Sequence, residues 1–261
     1  MATCKPIDYD VLCDELLKHY LEPAYYSVIK TPVNFVTFDM TATTIDEYIK
    51  LLSMGYINVG IREDLDAYID ELLKDKWFHQ WPLVRFEFAS RELSRKTEVN
   101  YKKKKKTEET LDDELDILSS LAKEGWPNAM VTIGMHNYIY GGLSKYKYET
   151  YICLCVFAYR KGYRLSGHYL FTEFITGKYE QLCEELQLLV LKETSAWILK
   201  VNGATLDNYI EKLDDYNLAH YKKMCKKIDK LKEPVSHRMF MRNTSGKLFW
   251  PEGESPYDIK F

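Results

Sequence analysis

The sequence lacks the short motifs that mark several common kinds of active site. It contains no G-x-S-x-G nucleophile elbow, no phosphate-binding P-loop and no dinucleotide-binding fingerprint. It also lacks the C-x-x-C and H-x-x-x-H spacings by which paired cysteines or histidines hold zinc. We therefore expect neither a metal nor a cofactor, and the sequence favours a protein that is not an enzyme.

Long apolar runs are missing as well. No window approaches the ~18 uninterrupted apolar residues of a membrane-spanning helix, and the N-terminal MATCKPIDYD is unlike a secretory signal. The six cysteines are scattered over 261 residues, which is typical of reduced thiols in an intracellular protein. We predict a soluble, cytoplasmic protein without membrane contact, and the sequence is also compatible with the nucleus.

A strong overall charge is the third absence. The formal net charge is -3 and the pI is about 6.1, so any nucleic-acid contact must come from a local patch. Tyrosine is abundant instead, with 21 residues, and lysines far outnumber arginines. This composition is typical of AT-rich coding and hints at a virus or a low-GC microbe.

The stretch from Tyr148 to Phe174 predicts a central β-hairpin. Residues 151–159 (YICLCVFAY) contain no charge, Pro or Gly and are rich in aromatic and β-branched types, as in a strand buried on both faces. Arg160-Lys161-Gly162 then predicts a turn. Beyond it, apolar or small residues alternate with polar ones over residues 163–171, the period of a strand with one wet face.

Helices and further strands are predicted on both sides of this hairpin. Apolar spacing predicts helices over residues 7–20, 44–55, 63–76, 109–123, 178–192 and 205–232. Alternating or continuous apolar stretches predict strands over residues 34–40, 56–61, 82–89, 129–135 and 196–201. The predicted fold class is α+β, with mixed α/β as the alternative. A mainly antiparallel sheet centred on residues 148–174 would be packed by amphipathic helices, including the long one at 205–232.

Residues 91–108 form a basic block and the predicted domain boundary. Five consecutive lysines cannot all be buried, so we expect an exposed loop or linker here. It would divide an N-terminal α/β part (1–90) from a C-terminal α+β part (109–261), with a single domain as the alternative. The candidate nucleic-acid-binding residues are Arg91, Arg95, Lys96, Lys102, Lys103, Lys104, Lys105 and Lys106. A nuclear-import signal and a solvated loop are the other interpretations.

Cysteines and histidines near the predicted hairpin are one set of candidate catalytic groups. Cys153 or Cys155 beside His136 or His168 could form a nucleophile and base, but a reactive cysteine belongs at an exposed, electropositive position and not in mid-strand. Small core cysteines and tyrosine-bonded histidines are the favoured interpretation.

Glu149 and Glu173 flank the predicted hairpin. A carboxylate pair at its open end could hold a metal ion, with the two histidines near the same sheet edge. This is the alternative function, a metal-dependent hydrolase acting on phosphodiester bonds. A solvated strand end explains the same residues without chemistry.

The leading prediction is a non-enzymatic intracellular protein that binds another macromolecule. It depends on the absence of a catalytic signature together with exposed charge blocks and many tyrosines. We expect a protein partner, with nucleic acid contacted through the basic block as the second option. The sequence leaves the oligomeric state open.

Overall fold

The computed structural model describes residues 9–21, 26–27, 33–75, 79–103, 110–140 and 145–200, and these residues are mostly helical. The described helices are α1 (Tyr9–Tyr20), α2 (Ile45–Ser53), α3 (Glu63–Leu73), α4 (Pro82–Lys103), α5 (Asp112–Glu124), α6 (Pro127–Tyr140), α7 (Lys145–Arg160), α8 (Arg164–Ile175) and α9 (Glu184–Lys200). A 3-10 turn at Lys178–Gln181 precedes α9. The predicted helix at 205–232 lies outside the described residues.

Two three-residue strands form the sheet of the described part of the chain. β1 (Met40–Ala42) pairs in parallel with β2 (Val59–Ile61), with Met40 opposite Val59. Parallel neighbouring strands need a crossover connection, and helix α2 provides it. The helix packs on both strands. The predicted mainly antiparallel sheet centred on residues 148–174 is therefore wrong.

The described residues divide into two compact units. Of these residues, the first unit holds 9–21, 138–140, 145–160 and 164–200, and the second holds 26–27, 33–75, 79–103, 110–137 and 161–163. In the first unit α7 packs against α1, α8 and α9. In the second unit α4 packs against α2, α3 and α5, and the small sheet packs on α2.

The predicted first strand of the hairpin is part of helix α7. All nine side chains from Tyr151 to Tyr159 are buried, so this part of the helix has no polar face. A helix that is buried on every side loses the 3.6-residue apolar period, and its sequence then resembles a doubly buried strand. The strand prediction for residues 151–159 is wrong for this reason.

The predicted second strand is helix α8. Its buried residues fall in pairs three to four positions apart, which is a helical stripe and not an alternation. They are Ser166, Gly167, Leu170, Phe171, Phe174 and Ile175. Leu165, which the strand pattern placed inside, is 43% exposed. Gly162 does form the predicted turn between the elements, with φ of 96°.

Four other strand predictions also need correction. Residues 82–89 lie in α4, residues 129–135 lie in α6, and residues 196–200 lie in α9. Residues 34–40 reach the sheet only through a bridge from Val36 to Tyr56 and through Met40 at the start of β1. The strand predicted at 56–61 is confirmed in its last three residues, which form β2.

Predicted helix ends are more accurate than predicted strands. The Thr44 hydroxyl accepts a hydrogen bond from the Glu47 N–H, and the Glu47 carboxylate accepts one from the Thr43 N–H, which confirms a capping arrangement at the start of α2. Gly55 and Gly125 follow α2 and α5 with φ of 87° and 101°. Such caps depend on a few adjacent residues, so local sequence is enough to predict them.

Candidate protein-binding surface

Arg91, a predicted nucleic-acid contact, is the centre of an ion-pair cluster in the second unit. Its guanidinium donates hydrogen bonds to Asp66 (2.5 Å), Asp70 (3.0 Å) and Glu87 (2.7 Å). Burial opposes its charge, but these hydrogen bonds raise the pKa of Arg91 above its ordinary value. The cluster ties α3 to α4, so the donors of this arginine are occupied by its own chain.

The other members of the predicted basic patch differ in their surroundings. Arg95 bonds Glu92 within α4, and Lys96 lies 2.8 Å from both oxygens of the buried Glu114 carboxylate in α5. Residues 91–103 are thus helical and not a loop. The backbone of Lys102 and Lys103 belongs to the last turn of α4, while Lys104, Lys105 and Lys106 lie outside the described residues.

The domain boundary proposed at 91–108 stays a prediction.

The cysteines considered as nucleophiles are core residues of the first unit. Cys153 and Cys155 lie in α7 with side chains that are fully buried. Burial raises the pKa of both thiols, whereas a reactive cysteine needs a lowered pKa. His136 in α6 and His168 in α8 are partly buried, and burial lowers the pKa of each imidazole. The burial of these cysteines and histidines is that of side chains packed in or next to a core.

Glu149 and Glu173 do not lie at a sheet edge, because the predicted hairpin is the helix pair α7 and α8. Glu149 accepts hydrogen bonds from the Tyr20 hydroxyl and the Cys183 N–H, each 3.0 Å long. Glu173 accepts one of 2.7 Å from the Tyr148 hydroxyl. Within the described ranges, no group of three or more His, Cys, Asp or Glu residues could hold a metal ion. The hairpin end at which this carboxylate pair was expected therefore does not exist, while the hydrolase function itself stays a prediction.

The chain leading into β1 forms an exposed surface of the second unit. All five residues from 37 to 41 are exposed, including Phe38 at 75% and Met40 at 38%. We call residues 37–41 the edge surface. Because side chains in extended chain alternate between faces, exposure of five in succession means that both faces are open to solvent. Among the exposed large apolar side chains of the described residues, Phe38 has the highest exposed fraction.

The edge surface is held in place by Asn58. Its side-chain amide donates hydrogen bonds to the carbonyl oxygens of Thr37 (2.9 Å) and Gly162 (2.8 Å). Val36 is fixed next to it, since its N–H donates to Gly55 and its carbonyl accepts from Ile57. The exposed apolar side chains therefore project from an anchored backbone, as a recognition surface requires.

The parallel register decides which backbone groups of β1 point outward. The Met40 N–H donates to the carbonyl of Asn58 on the β2 side, at 3.1 Å. Successive residues of a strand direct their backbone groups to opposite sides, so those of Thr41 point away from β2. Thr41 is itself exposed, and among the described residues no strand pairs with the outer side of β1, which is therefore an open edge there.

The segment that contains both strands is strongly acidic. Residues 33–75 hold nine acidic side chains and three basic ones, although the whole chain has a net charge of only -3. Several of the acidic residues start the helices that follow the strands, where the positive end of the helix dipole favours them: Asp46 and Glu47 in α2, and Glu63, Asp64 and Asp66 in α3. Arg91 of α4 bonds two of these side chains, Asp66 and Asp70, but the remaining charge of the segment is still negative and favours cations near it.

The edge surface was not among the sites predicted from the sequence. The sequence predicted a short strand over residues 34–40 and gave no separate role to Phe38 or Met40. One signal was available: residues 34–44 (NFVTFDMTATT) have too few apolar residues for a strand in the middle of a sheet. Together with the nearby excess of Asp and Glu, this composition is typical of an edge strand.

Comparisons with known proteins found no matching family model, no similar curated protein and no similar solved structure. In the part of the chain that the structure describes, no helix combines the length and apolar character needed to cross a membrane.

Proposed function

We propose that this chain works by binding another protein through the edge surface. The observation that carries the proposal is the exposure of Phe38 on a backbone that Asn58 holds in place. Exposed aromatic and methionine side chains are enriched where protein interfaces form. Burial of such side chains in a partner would supply the apolar contact area that a specific complex needs.

We propose that the interaction takes place inside the cell. Cys13, Cys153, Cys155 and Cys183 are free thiols, and the first three are buried. This arrangement supports a reducing compartment. The cytoplasm is the compartment we favour, and the nucleus agrees equally well with free thiols.

Site-specific photo-cross-linking in the native host tests the proposed function. A photoreactive phenylalanine derivative replaces Phe38 in one version of the chain and Tyr140 in the other. Tyr140 is a suitable control because it is also aromatic and is 56% exposed, but belongs to the first unit. We expect a discrete protein adduct at position 38 that is missing at position 140.

The same experiment can contradict the proposal. Identical adducts at both positions would mean that position 38 has no special role, and the lack of any adduct at position 38 would remove the proposed surface. Digestion with nuclease before the adducts are separated tells protein from nucleic acid. An adduct that nuclease destroys would show that the partner is a nucleic acid and not a protein.

Nucleic-acid binding is the second candidate function, and one feature favours it. The run Lys102–Lys106 begins in the last turn of α4, whose earlier cations Arg91 and Lys96 already bond carboxylates of the same chain. Five adjacent lysines supply the non-specific phosphate contacts that such binding needs. This candidate therefore depends on Lys102–Lys106 alone.

A further inference from the structure

We infer that the outer edge of β1 accepts an extended, basic segment of the partner protein as an additional strand of the sheet. This inference rests on the proposed function, since it specifies how the edge surface binds. It names the bonding groups, the shape of the bound segment and its charge.

The backbone of β1 supplies the first part of the argument. The β1–β2 ladder uses the inward groups of Met40, while the N–H and carbonyl of Thr41 face outward at an exposed position. An edge of this kind is a template on which an extended peptide can form main-chain hydrogen bonds. A helical ligand could not reach these groups, because its own backbone bonds are internal.

The side chains beside this edge supply the second part. Phe38 and Met40 are two positions apart in the chain, and both are exposed. In a strand added beside β1, every second side chain would lie on the same face of the sheet as Phe38 and Met40. Apolar residues at alternate positions of the bound segment would therefore cover Phe38 and Met40.

The charge supplies the third part. Residues 33–75, which contain both strands, hold nine acidic side chains against three basic ones, and an excess of negative charge remains after Arg91 bonds Asp66 and Asp70. Asp46 follows the carboxyl end of β1, and Glu63 follows that of β2, where parallel strands end at the same side. Lysine or arginine at the remaining alternate positions would complement this field and speed association.

Short capped peptides test the inference in the full-length chain by fluorescence anisotropy. The probe alternates valine and arginine, and a matched peptide alternates valine and glutamate. We expect binding of the arginine peptide only, weakening as salt is raised. Equal binding of both peptides, or of neither, would overturn the inference.

Methylated versions of the arginine peptide test the strand pairing itself. N-methylation of every second amide is made in two registers, one of which blocks the amides facing β1 and the other those facing solvent. We expect one register to abolish binding and the other to retain it. Loss in both, or in neither, would show that the peptide is not added as a strand.

Substitutions at Thr41 give a matched pair in the protein. Thr41→Pro removes the outward N–H without touching the inward bonds of Met40, and an edge position tolerates proline. Thr41→Val keeps the N–H. We expect Thr41→Pro to weaken peptide binding about tenfold, the effect of one hydrogen bond, while Thr41→Val binds like the unchanged chain.

These outcomes separate the inference from the proposed function. If Thr41→Pro folds and binds the peptide normally, strand addition is excluded, but a cross-link at Phe38 would still support a protein interface. If position 38 gives no cross-link, the proposed function fails. If Thr41→Pro does not fold, the two methylation registers still decide the question.

Discussion

The Tyr20 hydroxyl donates a 3.0 Å hydrogen bond to the carboxylate of Glu149, which lies 129 residues further along the chain. The same carboxylate accepts a bond from the N–H of Cys183, the residue just before α9. Glu149 is 7% exposed, so both contacts form largely out of water. One side chain of α7 thus joins the end of α1 to the start of α9.

Removal of the Tyr20 hydroxyl should destabilise the chain. Tyr20→Phe leaves a buried carboxylate with one donor fewer, and we expect the free energy of unfolding to fall by about 1–3 kcal/mol. Combining it with Glu149→Gln should lower stability by less than the sum of the two single effects, because the uncompensated charge is gone. Urea denaturation measures each value. If the two single losses of stability simply add in the double variant, the coupling is contradicted. Tyr68→Phe, at an exposed position, is the control for removal of a tyrosine hydroxyl.

Buried tyrosines should make the chain sensitive to alkali. Burial, reinforced by neighbouring carboxylates, raises the pKa of Tyr20, Tyr48 and Tyr148 above the ordinary value. Above about pH 10, the ordinary pKa of tyrosine, these side chains ionise in the unfolded chain but stay protonated in the folded one. The stability that they contribute at lower pH is therefore lost as the pH rises further. We therefore expect the unfolding free energy to decrease above about pH 10.

Urea titrations at several alkaline pH values test this dependence. Tyr48→Phe should make the decrease less steep, because one tyrosine no longer has to ionise on unfolding. Tyr68→Phe, at a position that is 63% exposed, should leave the slope unchanged. A free energy that stays constant through this range would contradict the expectation.

Gly167 in α8 lies directly against the indole ring of Trp197 in α9. A Cβ atom added at Gly167 would overlap the indole ring of Trp197, so we expect Gly167→Ala to destabilise the chain by about 1–3 kcal/mol. In a Trp197→Ala background the overlap is gone. There alanine should become the better residue by up to about 1 kcal/mol, because it favours helix more than glycine does. Thermal or urea unfolding of the four chains gives the cycle, and an effect of the same sign in both backgrounds would refute the contact.

The basic residues should differ in their effect on nucleic-acid binding. In a gel shift with RNA and DNA at two salt concentrations, replacement of Lys102–Lys106 by glutamine should abolish any complex formed at low salt. Arg91→Lys should leave such a complex intact and instead lower stability, since a lysine cannot make the three carboxylate bonds of Arg91. Loss of binding in the Arg91 variant without loss of stability would assign that arginine to the nucleic acid.

Local sequence was enough to predict how several helices begin and end. The Thr44 and Glu47 cap, the glycines at positions 55 and 125, and the acidic start of α5 all depend on interactions within a few residues. The apolar stripes of α1, α3 and α5 have one wet face, so their helical period is visible in the sequence.

Tertiary structure decided the rest. Residues 151–159 form a helix because three other helices surround them, and complete burial removes the periodic signal that distinguishes helix from strand. Arg91 and Lys96 contact carboxylates that lie on other helices, so no local pattern shows that they are occupied. The open edge at Thr41 likewise depends on which strands pair. The sequence by itself determined the helix ends and the acidic character of residues 33–75, and long-range packing determined what those residues expose.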